Sequence, residues 1–509
     1  MTVQLERHPN LPAGASAGDS ASRIGAHQPS RHTLGLTGLV ILLCGGFLPL
    51  LDFFIVNVAL PTMDATLHAS APMLQLVVAG YGVAYALMLV VGGRLGDAIG
   101  RRRLFIMGVA GFTVSSLLCG IAPSIGALVA LRVLQGLSAA MSQPQVLATI
   151  HATLDGPRRG RAISLYAAMG GIAASVGQLF GGALVQANIV GLSWRPIFLV
   201  NVPVGVAVLA LSRRFLPATK SPDPAGVDRL GTMLLGITMV ALLVPLTEGR
   251  ALGWPAWTWL LFALAPVAAA AAVYVERRIE QRGGAPLIAP SLVRLPSMWR
   301  GLVLAIPFFC GFGAFMFVFA LAVQDGLHYS PLRSGIALAP MTVAFLAGSL
   351  LAPKLVARFG GRTISLAMAA EAVALVALAV QVISQWPHIG TFSMSPELIV
   401  GGFAQAVTLV TLFRIVLADV PHRLSGIGSG ILVTVQQAAL ALGVASIGSL
   451  YLSAAGQDPA RAFGIMFVTE AALFTAVAVG AWVLLGEGRS GAAERVRGEG
   501  DEQEVAIEM

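Results

Sequence analysis

Fourteen apolar stretches, each about long enough to cross a hydrocarbon layer, constrain this chain more than any other feature. They fall at 37–60, 74–94, 103–121, 124–148, 161–186, 194–212, 231–247, 256–275, 300–324, 334–353, 363–384, 395–417, 425–452 and 462–485. A run of about twenty apolar residues spans the bilayer as a helix, because only there does the backbone satisfy its own hydrogen bonds in oil. Charged residues are 11% of the 509, roughly half of what a soluble domain carries. The sequence therefore predicts an all-α integral membrane protein.

A repeat divides the runs into two sets. Gly93-Arg94-Leu95-Gly96-Asp97-Ala98-Ile99-Gly100-Arg101-Arg102-Arg103 links the second and third runs. About 260 positions later, Lys354-Leu355-Val356-Ala357-Arg358-Phe359-Gly360-Gly361-Arg362 repeats its skeleton between the tenth and eleventh. Each copy thus follows the second run of a six-run block, the plan of a duplicated transporter. The expected units are halves at 35–214 and 299–486, with an inserted helix pair at 215–298 between them. The pair is joined through the polar segments Arg213–Arg229 and Glu276–Arg300, and it is expected to lie outside the bundle without touching a substrate. Residues 1–34 and 487–509 have no apolar periodicity and are expected to be disordered tails.

The turn has its own physical reasons. Gly93 and Gly100 permit a short reversal. Arg94, Arg101 and Arg102 hold it on the anionic side of the membrane. Asp97 is placed to meet the positive N-terminal end of a helix from the other half. Counted over all connections, those on the side of this turn carry about 21 Lys and Arg, and those on the other side about four. That bias predicts both termini in the cytoplasm of a cell with an inner membrane.

Two opposite charges sit inside apolar runs. Asp52 lies in run 1 within Leu51-Asp52-Phe53-Phe54-Ile55-Val56-Asn57, and Arg132 lies in run 4 within Leu131-Arg132-Val133-Leu134-Gln135-Gly136. An ionisable group there costs about 2.5–3.5 kcal/mol on insertion scales, so a partner or a wet cavity is expected. The two runs point opposite ways, and each charge falls about eight residues from its run's outer end, roughly 12 Å. Asp52 and Arg132 are therefore expected to be coupled, directly or through water. Asp52 then carries a proton under the control of Arg132, or the two form a static pair joining helices 1 and 4.

These residues carry a resemblance. Gly93–Arg103 resembles the loop-2/3 motif of the major facilitator superfamily, with Ala98 where that family usually has Arg. Asp52, Asn57 and Pro61 resemble the first-helix motif of its fourteen-helix drug:proton antiporter family, of the multidrug or quaternary-ammonium resistance type. Phe54 stands where Thr is usual. Arg132-x-x-Gln135-Gly136 resembles the fourth-helix motif implicated in proton transfer, and Trp194-Arg195-Pro196-Ile197-Phe198-Leu199-Val200-Asn201-Val202-Pro203 the entry to helix 6. Asp228 with Gly231, and Gly253-Trp254, fit its extra-helix region. Helix 5 departs from the antiporter motif: Gly177-Gln178-Leu179-Phe180-Gly181-Gly182 has Gln178 where Pro is usual, and Ala173 replaces a Gly. Gly177 and Gly181 still form a G-x-x-x-G face for close helix approach, and Gln178 is placed to line a cavity or bond a neighbour. The resemblance implies a major facilitator fold and proton coupling through Asp52, Arg132, Asn57 and Gln135, with proton and substrate competing for one cavity near Phe53 and Phe54.

The second half offers secondary candidates. Gln324, Asp325 and His328 cluster at the outer end of run 9, read as loop polarity before a proton site. Glu371 and Glu470 are deep in runs 11 and 14 without a visible partner and read either as a proton relay or as structural hydrogen bonding, and Gln436 and Gln437 are placed to line the cavity or its gate. Arg414 is expected to snorkel. Cys44, Cys119 and Cys310 all lie in apolar runs and are expected to be buried thiols. No G-x-x-x-x-G-K-S/T loop and no metal-ligand spacing is present, so no cofactor is expected and a proton gradient is the simplest drive. The expected function is proton-coupled efflux of hydrophobic or cationic drugs by one chain in the bilayer, with small-molecule substrates, protons and periplasmic or outer-membrane proteins as partners and no nucleic acid. The alternative is a dedicated exporter of one metabolite such as an antibiotic, siderophore or sugar. A sensor, a scaffold and a membrane enzyme fit less well, for want of a signalling domain or clustered nucleophiles.

Overall fold

The computed structural model describes residues 34–220, 228–249, 252–284, 286–421 and 425–486. Apart from Leu34, the two expected tails lie outside these residues. In the first half, α1 spans Leu36–Leu67, α2 Ala71–Ile99, α3 Arg101–Gly120, α4 Ile125–Thr153, α5 Gly156–Ala187 and α6 Pro196–Phe215. Two further helices follow, α7 at Arg229–Glu248 and α8 at Ala256–Gln281. The second half holds α9 (Pro296–Gly326), α10 (Pro331–Phe359), α11 (Arg362–Gln385), α12 (Ser395–Val416), α13 (Gly430–Ala455) and α14 (Pro459–Gly486).

Among the described residues thirteen helices are long and apolar enough to cross a membrane. Helix α5 begins Gly-Pro-Arg158-Arg159-Gly-Arg161 and continues to Ala187 without a further charged residue. Its length, roughly 48 Å at 1.5 Å per residue, still exceeds the bilayer core.

The two halves repeat the same packing. In the first, α2 and α3 lie on α4, α1 on α5, and α3 on α6; in the second, α10 and α11 lie on α12, α9 on α13, and α11 on α14. The halves meet along α1 with α9, α2 with α13, and α5 with α10. A helix apolar on every side belongs in the middle, and α1 and α9 obey this. Every residue from Leu51 to Leu60 and from Phe308 to Leu321 is buried. The inserted helices behave differently: α7 and α8 pack on each other, and α7 reaches the bundle through α2 and α13. Only 17% of the α8 span is buried, against 78% for α9, so most of α8 faces outward.

Two helix ends differ from the sequence reading. Helix α1 runs to Leu67 instead of stopping near 60, because its polar last turns are held from outside. Thr66 Oγ1 donates to Thr62 O at 2.8 Å and accepts from Trp194 Nε1 at 2.7 Å, and His68 closes the helix with φ 49°. Helix α2 runs to Ile99, so Gly93 sits inside it and the reversal falls to Gly100 alone, at φ 107°. Gly92 and Gly96 instead let α2 approach α4 closely, where Gln145 Nε2 donates to Gly92 O at 2.9 Å. Below, "basic face" means the side carrying Gly100 and Arg101–Arg103.

Candidate functional site

Asp52 sits midway along α1, about fifteen residues from each end, and is fully buried, as is Arg132 on α4. The structure brings them into a direct ion pair, Arg132 Nη1 to Asp52 Oδ2. Two amides complete the carboxylate's shell: Gln135 Nε2 donates to Oδ1 at 3.0 Å and Asn201 Nδ2 donates to the same oxygen at 2.9 Å. The network reaches α3 through Gln135 Nε2 to Ser116 Oγ at 2.8 Å, and α2 through Arg132 Nε to Val77 O at 3.0 Å. Arg132 Nη1 also donates to Gln135 Oε1 at 2.7 Å. Five of the six helices of the first half therefore converge on one carboxylate.

Aromatic rings enclose the cation. The Arg132 guanidinium lies 4.2 Å from the centroid of the Tyr81 ring and 5.7 Å from that of Phe198, a placement in which the ring faces attract the charge. Tyr81 is fixed by its hydroxyl, which donates to Pro49 O at 3.0 Å. Arg132 Nη2 and Asn201 Oδ1 are buried without a hydrogen-bond partner. The network has spare donor and acceptor capacity in the middle of a membrane bundle.

The sequence reading paired Asp52 with Arg132 and included Gln135, and these three are in contact. Asn57 is not among them: its Nδ2 donates to Phe53 O and Phe54 O in its own helix, at 3.2 and 3.3 Å. It lies four residues before Pro61, whose missing N–H leaves the helix short of one bond there. Asn201 and Tyr81 were missed as site residues. Asn201 had a signal, a lone amide in an apolar run, whereas Tyr81 had none beyond being aromatic. The pair is sealed within the first half and does not line a cavity between the halves, contrary to the expected shared cavity. The link to the second half is instead Phe54, whose ring packs 6.1 Å from that of Phe312 on α9.

Phe312 is part of a small cleft between the halves, lined also by Gln178 of α5, Met316 of α9, and Met341, Thr342 and Phe345 of α10. Gln178 Nε2 reaches Met316 Sδ at 3.8 Å across the seam, while its Oε1 has no partner. Both uses foreseen for Gln178, lining and bridging, are therefore realised. Gly177 and Gly181 pack against Phe54, Ile55 and Val58 of α1, and Gly182 lies against the backbone of Pro331. Away from the basic face, Gln324 Nε2 donates to Val58 O at 2.9 Å, and Gln75 Nε2 donates to Val444 O at 3.1 Å and to Ser449 Oγ at 3.0 Å. Both partners in the second half sit in or beside a single π-helical turn, Ala322–Gly326 and Val444–Gly448, the kind of local irregularity common at functional positions. Ser449 Oγ also donates to Leu246 O of α7 at 3.1 Å.

On the basic face Asp97 pairs with Arg101 at 2.8 Å within its own turn, not with a helix of the other half. Arg94 donates to Pro286 O after α8, and Arg102 Nη1 donates to Leu216 O at 3.0 Å. Of the secondary candidates, Asp325 and His328 stay together near the end of α9, Gln436 is half-buried, and Gln437 is buried with a free Oε1. Glu371 and Glu470 are both fully buried. Arg414 is exposed, and so is Cys44, which was expected to be buried.

Comparison with known proteins places this architecture. Residues 42–444 match the model of the Major Facilitator Superfamily. The probable actinorhodin transporter of Streptomyces coelicolor is 34% identical over 85% of this chain and 75% of its own length. The puromycin resistance protein of Streptomyces alboniger is 33% identical over 90% of this chain and 92% of its own. Among solved structures, that of the POT family transporter PepTSo superposes with a TM-score of 0.63, at 14% identity, over 89% of this chain and 98% of that one; this likeness is one of fold. The duplicated six-helix halves, the basic turn and the matched residues together make this chain a multi-span membrane protein of the Major Facilitator Superfamily.

Proposed function

We propose that this chain expels hydrophobic or cationic drug-like molecules from the cytoplasm in exchange for protons, by alternating access to the cleft between its halves. In this reading the basic face and both termini are cytoplasmic, because Lys and Arg are retained on that side. The chain works as a single carrier and leaves its cargo chemically unchanged.

The observation that carries the proposal is the buried network around Asp52. A carboxylate in contact with a guanidinium and two amides exchanges strong charge-assisted bonds for weaker ones when it takes up a proton. Its grip on α4 and α6 then loosens, and α1 is free to shift. Phe54 lies two residues further along α1 and touches Phe312 at the cleft, so the change reaches the place where cargo would sit. Proton and substrate compete through α1, not for the same atoms. The cleft's two methionines and two phenylalanines, with only Gln178 and Thr342 as polar groups, suit varied apolar shapes, since thioethers repack easily. The relatives named for actinorhodin transport and puromycin resistance support a drug-like cargo.

The test is proton release from inverted vesicles on adding a panel of lipophilic cations, with wild type and Asp52→Asn. Cation-driven loss of the pH gradient in wild type alone is the expected result. A response from neither protein, or an equal response from both, refutes the reading. A second reading is a dedicated exporter of one compound, and it is favoured by the fact that both relatives are named for single compounds. It predicts that only one member of a chemically mixed panel responds.

A further inference from the structure

The second half contains a buried acidic cluster that the Asp52 mechanism does not use. Glu371 of α11, Glu470 of α14 and Gln405 of α12 are each at most 1% exposed. Gln405 Nε2 donates to Glu371 Oε1 at 2.6 Å. That amide is the one donor hydrogen-bonded to this cluster among the described residues. Glu371 Oε2, both carboxylate oxygens of Glu470 and Gln405 Oε1 are all buried without a hydrogen-bond partner. The helices that carry the two acids, α11 and α14, pack along each other. The cluster is therefore all acceptors and short of hydrogens.

Charges on the packed helices do not make up the deficit. Arg362 on α11, Arg461 on α14 and Arg414 on α12 each stand nine residues from Glu371, Glu470 and Gln405 respectively, roughly 14 Å along the helix. On α9, Arg300 and Asp325 lie near its two ends, and on α10 so do Arg333, Lys354 and Arg358. None of them makes an ion pair with either glutamate among the described residues. Two carboxylates buried in the middle of a bilayer without a cation cannot both stay ionised.

A small cavity leads to the cluster. It is lined by Glu371, Gln405 and Gly401, by apolar residues of α9, α10 and α11, and by Glu397. Glu397 lies in the first turn of α12, on the side away from the basic face, and is half-buried with Oε2 unpartnered. Glu397 and Gln405, about eight residues or 12 Å apart along α12, thus border the same small cavity.

We infer that Glu371 and Glu470 form a second proton-binding site, loaded through Glu397 from the side away from the basic face and separate from Asp52. A proton on Glu371 supplies the missing donor, with Gln405 Oε1 beside it as acceptor. The inference extends the proton-coupled reading above, but it is tested without any substrate.

The experiment is infrared difference spectroscopy of the purified full-length chain in lipid nanodiscs, taken through a pH titration with proton uptake measured alongside. The expected result is a carbonyl band of protonated carboxylic acid that persists in Asp52→Asn and is lost in Glu371→Gln and in Glu470→Gln, with uptake reduced by about one proton per chain. Glu397→Gln, at the half-exposed mouth and least able to disturb folding, is expected to keep the band and slow its exchange several-fold after a pH jump. A band unchanged in both buried variants overturns the proposal, as does exchange of normal speed in Glu397→Gln. Displacement of the band by sodium against choline also overturns it, in favour of a metal cation. An intact band together with no drug-driven proton movement would refute the proposed function and leave this site standing.

Discussion

The acids of the two halves are solved in opposite ways. Asp52 is surrounded by donors, Arg132, Gln135 and Asn201, and an unused guanidinium nitrogen lies beside it. Glu371 has a single donor, Gln405, and Glu470 has none among the described residues. A fold that repeats its helix packing in two halves has not repeated its electrostatics. The first surrounds its carboxylate with donors that an added proton would displace, and the second leaves its carboxylates short of the donor that a proton would bring.

Substitutions that remove one partner at a time separate these cases. The largest effect is expected from Arg132→Ala, which leaves Asp52 buried and unpaired: a loss of about 3–5 kcal/mol of stability and no measurable transport, read by thermal unfolding in detergent and by vesicle assay. If Arg132→Ala unfolds at the wild-type temperature, Asp52 is already neutral and the contrast collapses. Asn201→Ala removes one donor to an ionised group and is expected to cost about 1.5–3 kcal/mol. Its transport should be impaired more at high pH, where Asp52 is charged and uses that donor, than at low pH. The smallest effect is expected from Glu470→Gln, a near-isosteric change for a protonated acid, at under about 0.5 kcal/mol by the same unfolding assay. A gain in stability of several kcal/mol would mean that Glu470 is ionised in the native protein.

How much of this was legible beforehand differs by element. The Asp52–Arg132 pairing followed from sequence because two opposite charges interrupting apolar runs at matched depth have few alternatives. The halves followed from the repeated turn for a similar reason. Asn201 was visible as an odd amide but not as a partner, since helix rotation decides where it points and a helix as apolar as α6 gives little to set that rotation. Glu371 and Glu470 lie 99 positions apart, and nothing local says that α11 and α14 lie side by side. Gly93 was misplaced in the turn because a basic, glycine-rich stretch looks like a loop. Its helical bonds nevertheless continue to Ile99, where packing on α4 holds α2 together.

The attachment of α7 to α2 and α13 has a consequence for how a lipophilic molecule meets the protein from the side. In a two-fold bundle the seams α2/α13 and α5/α10 are equivalent doors onto the lipid. Here one door is shuttered, since α7 lies against it and Ser449 ties α7 to Gln75. Around the other, Val176 and Phe180 of α5 and Val343, Leu346 and Leu350 of α10 are exposed to the surroundings. That open seam is also the one lined on the inside by Gln178, Met341 and Phe345. Inserting two helices has left the molecule with a front and a back.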